Sequence, residues 1–272
     1  MSSSRPEGLE LLSRLPAAPN AGWPPLLFLH GAYTAAWCWE EHFLPFFAAA
    51  GFAAHALSFS GHGGSRRRKA LDACSIDDYV ADVAEAVARL PAPPVLIGHS
   101  MGGFVVQKYL ERHAAPAAAL LCSVPPQGLA ASAISLFFGK PNLLIELNRL
   151  MMGNQVALER LREALFAQPV AAEDLARYVK LAQPESHRAI WDMMLFNLPH
   201  PQQVLAHLPD RDHLFIAGAQ HDLIIPPSLV EMTARSFSVK ATIFPGLGHG
   251  LMLEAGWQAP AQALVDWLKR LF

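Results

Sequence analysis

The sequence predicts an α/β fold with a mostly parallel sheet flanked by helices and one inserted helical segment, and three observations carry that expectation. Short apolar runs alternate with longer amphipathic stretches through the first half, as successive βα units require. A Gly-x-Ser-x-Gly run at 98–102 falls between an expected strand and an expected helix. From Pro125 to about Pro201 strand-like runs give way to helical periodicity, and strand patterns resume at His213.

Taken in order, Leu26-Leu27-Phe28-Leu29 is expected as a buried strand ending at His30-Gly31. A helical stretch around Glu40 to Ala50 stops at Gly51, and Phe52 to Phe59 forms the next strand, leading into the loop Ser60 to Ser65. Ser75 and Asp78 fit a capping box before a helix that places Tyr79, Val83, Ala86, Val87 and Leu90 on one face. Pro91 to Pro94 ends that helix. Val95-Leu96-Ile97 is a strand, Gly98 to Gly103 a turn, Phe104 to Arg112 a helix and Ala117 to Val124 a strand. Residues 125–201 read as a helical cap rich in Met, Leu and Phe (Phe137, Phe138, Met151, Met152, Met193, Met194), inserted into a core domain made of 1–124 and 202–272. Strands follow at His213 to Ala217 and Lys240 to Phe244, and Pro260 opens a last amphipathic helix.

At 272 residues and 52% hydrophobic composition the chain can bury a large core without disulfides or metal. A formal net charge of -2 with 16% charged residues gives no field that would gather nucleic acid. The one basic run, Arg66 to Lys69, reads as solvated surface in a Gly- and Ser-rich loop. Three widely spaced cysteines, Cys38, Cys74 and Cys122, argue against a disulfide framework, and Cys122 reads as a small core residue. The first residues lack a signal-peptide layout and no apolar run reaches the ~18 residues of a membrane span, so a soluble cytoplasmic protein is expected. Neither H-E-x-x-H spacing nor a lysine-bearing phosphate loop occurs, and no metal or cofactor is expected. Oligomeric state is not written in the sequence.

The chemistry centres on Ser100. A sharp strand-to-helix turn lifts its hydroxyl above the sheet, the neighbouring glycines leave room for the strained backbone, and the Met101 amide at the helix start can donate to a developing oxyanion. A serine hydroxyl needs a base, and His249 lies in a Gly-rich loop directly after a late strand. Asp222 follows the preceding strand at its carboxyl end and can hold the imidazole in one tautomer, whereas Asp210 and Asp212 lie at that strand's other end. The loop His30-Gly31-Ala32-Tyr33 should supply the second oxyanion donor, the Ala32 amide in preference to that of its neighbour Tyr33. His30 is expected to tie that loop to adjacent backbone, and His62 could lie near the floor of the site.

Taken together, HGAYTAAWCW, SGHGGS, GHSMGG, GAQHDLIIP and GLGHGLMLE resemble the α/β-hydrolase superfamily, in that order and across nearly the whole chain. The resemblance implies an eight-stranded, mostly parallel sheet with a lid after the sixth strand. By that likeness Ser100 is nucleophile, Asp222 acid and His249 base, with an oxyanion hole of the Ala32 and Met101 amides. The stretch HGAYTAAWCWEEHFLPFF is similar to plant methylesterases and hydroxynitrile lyases, while SGHGGS and GHSMGG are similar to bacterial monoacylglycerol lipases and lysophospholipases. Serine at position 100 departs from the aspartate of haloalkane dehalogenases and epoxide hydrolases. The expected reaction is cleavage of a small hydrophobic carboxylic ester, with Tyr33, Trp191, Met194 and Phe196 as candidate pocket residues. A thioesterase, a cofactor-free peroxidase, lyase or C–C hydrolase, and a non-catalytic ligand-binding protein are the alternatives.

Overall fold

The computed structural model describes residues 8–18, 20, 22–66, 70–130 and 158–272, with side chains from 162 onward in the last stretch. Among these residues the sheet has seven strands: β1 (Leu11–Arg14), β2 (Leu26–Leu29), β3 (Ala54–Leu57), β4 (Val95–His99), β5 (Ala118–Leu121), β6 (Leu214–Ala219) and β7 (Ala241–Phe244). Their order is β1-β3-β2-β4-β5-β6-β7, and every pairing is parallel except β1 with β3. The resemblance implied eight strands. Pro16, Pro24 and Pro25 lack backbone donors, and the described residues between β1 and β2 form no further strand. Residues 1–7 lie outside the described residues.

Strands β2 to β5 are buried at every position, the pattern of a sheet covered on both faces. Alternate side chains serve two cores. Leu26, Phe28, Ala54, Ala56, Val95 and Ile97 face a layer that includes α1 (Trp37–Glu40), α2 (Phe43–Ala49) and α10 (Gln258–Leu271). Leu27, Leu29, Leu57, Leu96 and Leu120 face α3 (Ile76–Ala88), α4 (Met101–Leu110) and α9 (Pro227–Phe237). Between β5 and β6 the described residues form α5 (Leu158–Leu165), α6 (Ala172–Leu181), α7 (His187–Trp191), a π turn over Asp192–Phe196 and α8 (Pro201–Ala206), with no strand among them.

Local signals explain most boundaries. Ser75 Oγ accepts from the Asp78 amide at 3.2 Å while Asp78 Oδ2 accepts from the Ser75 amide at 2.9 Å, the expected capping box of α3. Gly51, after α2, has φ +97, a left-handed conformation that glycine adopts freely. The helix expected around 40–50 forms as α2, and the short α1 before it ends at Glu40. Pro45 sits in the first turn of α2, and its ring would clash with the Glu41 carbonyl if the helix ran on from α1.

The chain leaves β2 for β3 on one side and returns to β4 on the other. This reversal opens a crevice at the carboxyl ends of β2 and β4, where the loops after both strands meet.

Candidate active site

Ser100 lies between β4 and α4 with φ 53 and ψ −117, outside the comfortable region for a residue with a side chain. Contacts on all sides hold this strained turn. The Ser100 amide donates to the Leu121 carbonyl at 3.0 Å, and the Ser100 carbonyl accepts from the Phe104 and Val124 amides, each at 3.2 Å. A Cβ on Gly98 would stand 2.4 Å from the Gly102 carbonyl oxygen, and one on Gly102 would stand 2.3 Å from that of Leu29. Both positions therefore demand glycine for close approach.

The loops after β6 and β7 bring the other two groups. His249 Nδ1 is 2.7 Å from Asp222 Oδ2, and His249 Nε2 is 3.1 Å from Ser100 Oγ. Because the carboxylate only accepts, Nδ1 carries the proton and Nε2 is left to accept from the serine hydroxyl. The second carboxylate oxygen, Asp222 Oδ1, accepts from the Ile224 and Ile225 amides, both at 2.8 Å. Relative exposures of 9%, 2% and 4% for Ser100, Asp222 and His249 keep the group nearly dry.

Cys122 also belongs to this neighbourhood, which its reading as a core residue did not foresee. It has φ 44 at the end of β5, and burial together with the adjacent Asp222 carboxylate pushes its thiol well above the usual range. The thiol therefore stays protonated beside Asp222. His99 packs its ring 4.7 Å from that of His249, and its Nε2 donates to the His249 carbonyl at 2.8 Å. Burial, then the neighbouring His249, holds His99 well below the ordinary imidazole value, so it is neutral. His99, Cys122 and His249 hold potential metal-ligand atoms within 4.8 Å of one another. Both His249 nitrogens and the His99 Nε2 already have partners, and the thiol is protonated, so the cluster is poorly suited to a cation.

The loop after β2 passes directly over the serine. A Cβ on Gly31 would lie 3.2 Å from Ser100 Cβ and 2.8 Å from His99 Nδ1. Beyond it Ala32 is half-buried and Tyr33 takes a positive φ of 65. His30 ties this loop down: its Nδ1 donates to the Gly31 carbonyl at 2.8 Å and its Nε2 accepts from the Phe59 amide at 3.1 Å. Burial, then the charge of His62, depresses its pKa to about 3, so it is neutral. Met101 is the first residue of α4, so its amide has no acceptor within the helix.

Beneath the loop lies a buried charge pair. His62 Nε2 is 3.1 Å from Glu185 Oε2, both side chains fully buried, and Glu185 Oε1 accepts from the Tyr79 hydroxyl and the Ser186 amide at 2.7 Å each. Burial alone would lower the His62 pKa, but the Glu185 carboxylate outweighs it and the net shift is upward. Beside this pair, the Gln183 amide donates to the Tyr33 carbonyl at 3.0 Å.

Of the candidate pocket residues, Tyr33 borders the site. Trp191 and Phe196 are 54% and 73% exposed and lie 6.3 Å apart, ring against ring, while Met194 packs partly against the core. Among the described residues, none of these three is hydrogen-bonded to Ser100, Asp222 or His249. A shallow, open depression of about 340 Å³ lies between α5 and the Asp222 loop, lined by Arg162, Glu163, Phe166, Ala167, His221 and Leu223. Phe137, Phe138, Met151, Met152 and the run 67–69 lie outside the described residues.

The sequence profile of the alpha/beta hydrolase family matches residues 26–267. The chain belongs to that family. It is 35% identical over 106 residues to a non-heme haloperoxidase of Rhodococcus erythropolis, a match that spans 38% of each protein. Its fold is similar to that of BpoC from Mycobacterium tuberculosis H37Rv, which carries the name of a non-heme bromoperoxidase, with TM-score 0.72 and 19% identity over 97% of this chain and 96% of that one. It is also similar to a monoacylglycerol lipase of Paleococcus ferrophilus, with TM-score 0.66 and 17% identity over 97% and 99% of the two chains. No helix among the described residues is long and apolar enough to cross a membrane.

Proposed function

We propose that this α/β hydrolase cleaves the carboxylic ester of a hydrophobic acyl or alkyl group, with Ser100 as nucleophile, His249 as base and Asp222 as the acid that orients it. The observation that carries the reading is the continuous relay from Asp222 Oδ2 through His249 to Ser100 Oγ, at 2.7 and 3.1 Å. In the first step the hydroxyl attacks the ester carbonyl while His249 Nε2 takes its proton. In this reading the Ala32 and Met101 amides receive the oxyanion, supported by the close passage of Gly31 beside Ser100 and by the start of α4 at Met101. His249 then returns the proton to the departing alcohol, and a water activated by the same nitrogen releases the acid.

We read residues 125–201 as a cap on a core of 1–124 and 202–272, and helices α5 to α7 without strands support that division. A panel of p-nitrophenyl esters, monoacylglycerols and acyl thioesters of rising chain length tests the substrate class, with Ser100→Ala as control. Turnover of esters that is lost in that variant supports the reading; thioester turnover alone redirects it. The haloperoxidase match favours one further reading, in which hydrogen peroxide replaces water in the second step and leaves as a peracid. Peroxide-dependent bromination of a chromogenic acceptor in acetate buffer, abolished by Ser100→Ala, would establish it.

A further inference from the structure

Glu254 is 1% exposed and takes no part in the proposed reaction. It nevertheless sits between the histidine loop and the segment that leaves α5. Its Oε1 accepts from the Gly248 amide at 2.6 Å and its Oε2 from the Gln168 amide at 3.1 Å. Gln168 adds a bond of its own, from Nε2 to the Gly246 carbonyl at 3.1 Å. On the other side of His249, the Gly250 amide donates to the Leu165 carbonyl at 2.7 Å.

His249 is thus flanked by two glycines whose amides are both engaged, and both connections run to Leu165–Gln168. The fit leaves no slack. A Cβ on Gly248 would stand 2.8 Å from the Ala167 amide nitrogen, and one on Gly250 would stand 2.7 Å from Phe166 Cε1. Across the loop, the Gln220 side chain accepts from the Gly246 amide at 3.0 Å and the His221 amide donates to the Leu247 carbonyl at 2.8 Å. The histidine loop is therefore gripped from the Asp222 side and from the α5 side.

We propose that Glu254 and Gln168 are positioning residues that clamp the His249 loop to the segment leaving α5, so that the helical region between β5 and β6 sets where the imidazole stands. The inference rests on the reading of His249 as the base.

A carboxylate suits the position because two N–H donors from different segments need two acceptor oxygens. A glutamine would set its own N–H against one of them. Burial raises the Glu254 carboxyl, the Gly248, Ala167 and Gln168 amides oppose that shift, and the Asp222 charge adds to it. The groups that face Glu254 are Asp222, the Cys122 thiol and these amides.

The test compares Glu254→Gln and Gln168→Ala with wild type in the full chain, using three readouts. These are the NMR resonances of the His249 ring, assigned by their loss in His249→Ala, kcat and KM for p-nitrophenyl butyrate, and the rate of phosphonylation by a fluorophosphonate. Glu254→Gln should move the His249 ring resonances. It should also lower kcat by about tenfold or more, with KM within about twofold, as expected for a displaced base. Gln168→Ala should have the same effects to a smaller degree, since it removes fewer of the bonds to the loop. The clamp is overturned if folded Glu254→Gln matches wild type in kcat, or if its rate loss is no larger than its loss of folded protein. Should Glu254→Gln fail to fold, an unchanged kcat in Gln168→Ala overturns the proposal. A wild type that is neither phosphonylated nor active overturns the hydrolase reading instead, and the His249 ring resonances then decide the clamp.

Discussion

The two oxygens of Asp222 do different work, and a pair of substitutions separates them. Oδ2 faces His249 Nδ1 at 2.7 Å, while Oδ1 accepts the Ile224 and Ile225 amides at 2.8 Å each. Asp222→Asn can keep its carbonyl oxygen on the two amides and then turns an N–H towards Nδ1. The imidazole must answer with the other tautomer, placing its proton on Nε2, where it can no longer accept from Ser100. The loss expected for such a tautomer error is about 10⁴-fold in kcat, or about 5.5 kcal/mol at 1.36 kcal/mol per tenfold, with stability within about 1 kcal/mol of wild type. Asp222→Ala should be equally inactive but less stable by about 2–4 kcal/mol, because it also strands the two amides, one of them fully buried. Ester hydrolysis with active-site titration, together with urea unfolding of both variants, reads the two quantities. The reasoning fails if Asp222→Asn keeps more than about a tenth of wild-type kcat, or if the two variants unfold at the same urea concentration.

Gly31→Ala should crowd His99 and Ser100, since the new Cβ would lie 2.8 Å from His99 Nδ1. A cost of about 1–3 kcal/mol, seen as a melting temperature lower by about 2–10 °C, and slower phosphonylation of Ser100 are expected; an unchanged melt and rate would contradict the packing. The His62–Glu185 pair should make stability depend on pH. His62 is raised above 6.5 in the folded state, so its contribution is full below 6.5 and is lost as pH rises through the raised value. Glu185 is lowered from 4.5, so its contribution is present above 4.5 and is lost as pH falls through the lowered value. Wild type should therefore exceed His62→Gln in unfolding free energy by more at about pH 5.5 than at about pH 8.5; a difference that does not change with pH removes the pair from the account.

Much of the site was legible because local backbone sterics constrain residue types. The glycines around Ser100 mark where another backbone crosses, and Gly31 marks where the neighbouring loop passes over the serine. His249 and Asp222 were legible as polar residues just after strands at the sheet's carboxyl edge. What depends on pairings across the fold was not. Strand β1 is four residues, two of them exposed, and it gains its identity by pairing with β3. Nothing near Cys122 in the chain announces that β6 will carry Asp222 to its thiol. Glu185 and Glu254 read as ordinary charges in sequence, yet are 5% and 1% exposed because distant partners satisfy them. Pro45 was a signal that could have marked the start of α2. Trp191 and Phe196 illustrate the limit of composition, since an aromatic in a helical stretch is equally consistent with a pocket and with the exposed position each occupies.

The central claim is that Ser100 is an activated nucleophile. Intact-protein mass after exposure to a fluorophosphonate, for wild type and Ser100→Ala, tests it most directly, because an unactivated serine hydroxyl reacts negligibly. The account predicts one phosphonyl adduct on wild type and none on Ser100→Ala. A folded wild type that gains no adduct, or a Ser100→Ala protein that still gains one, would contradict it.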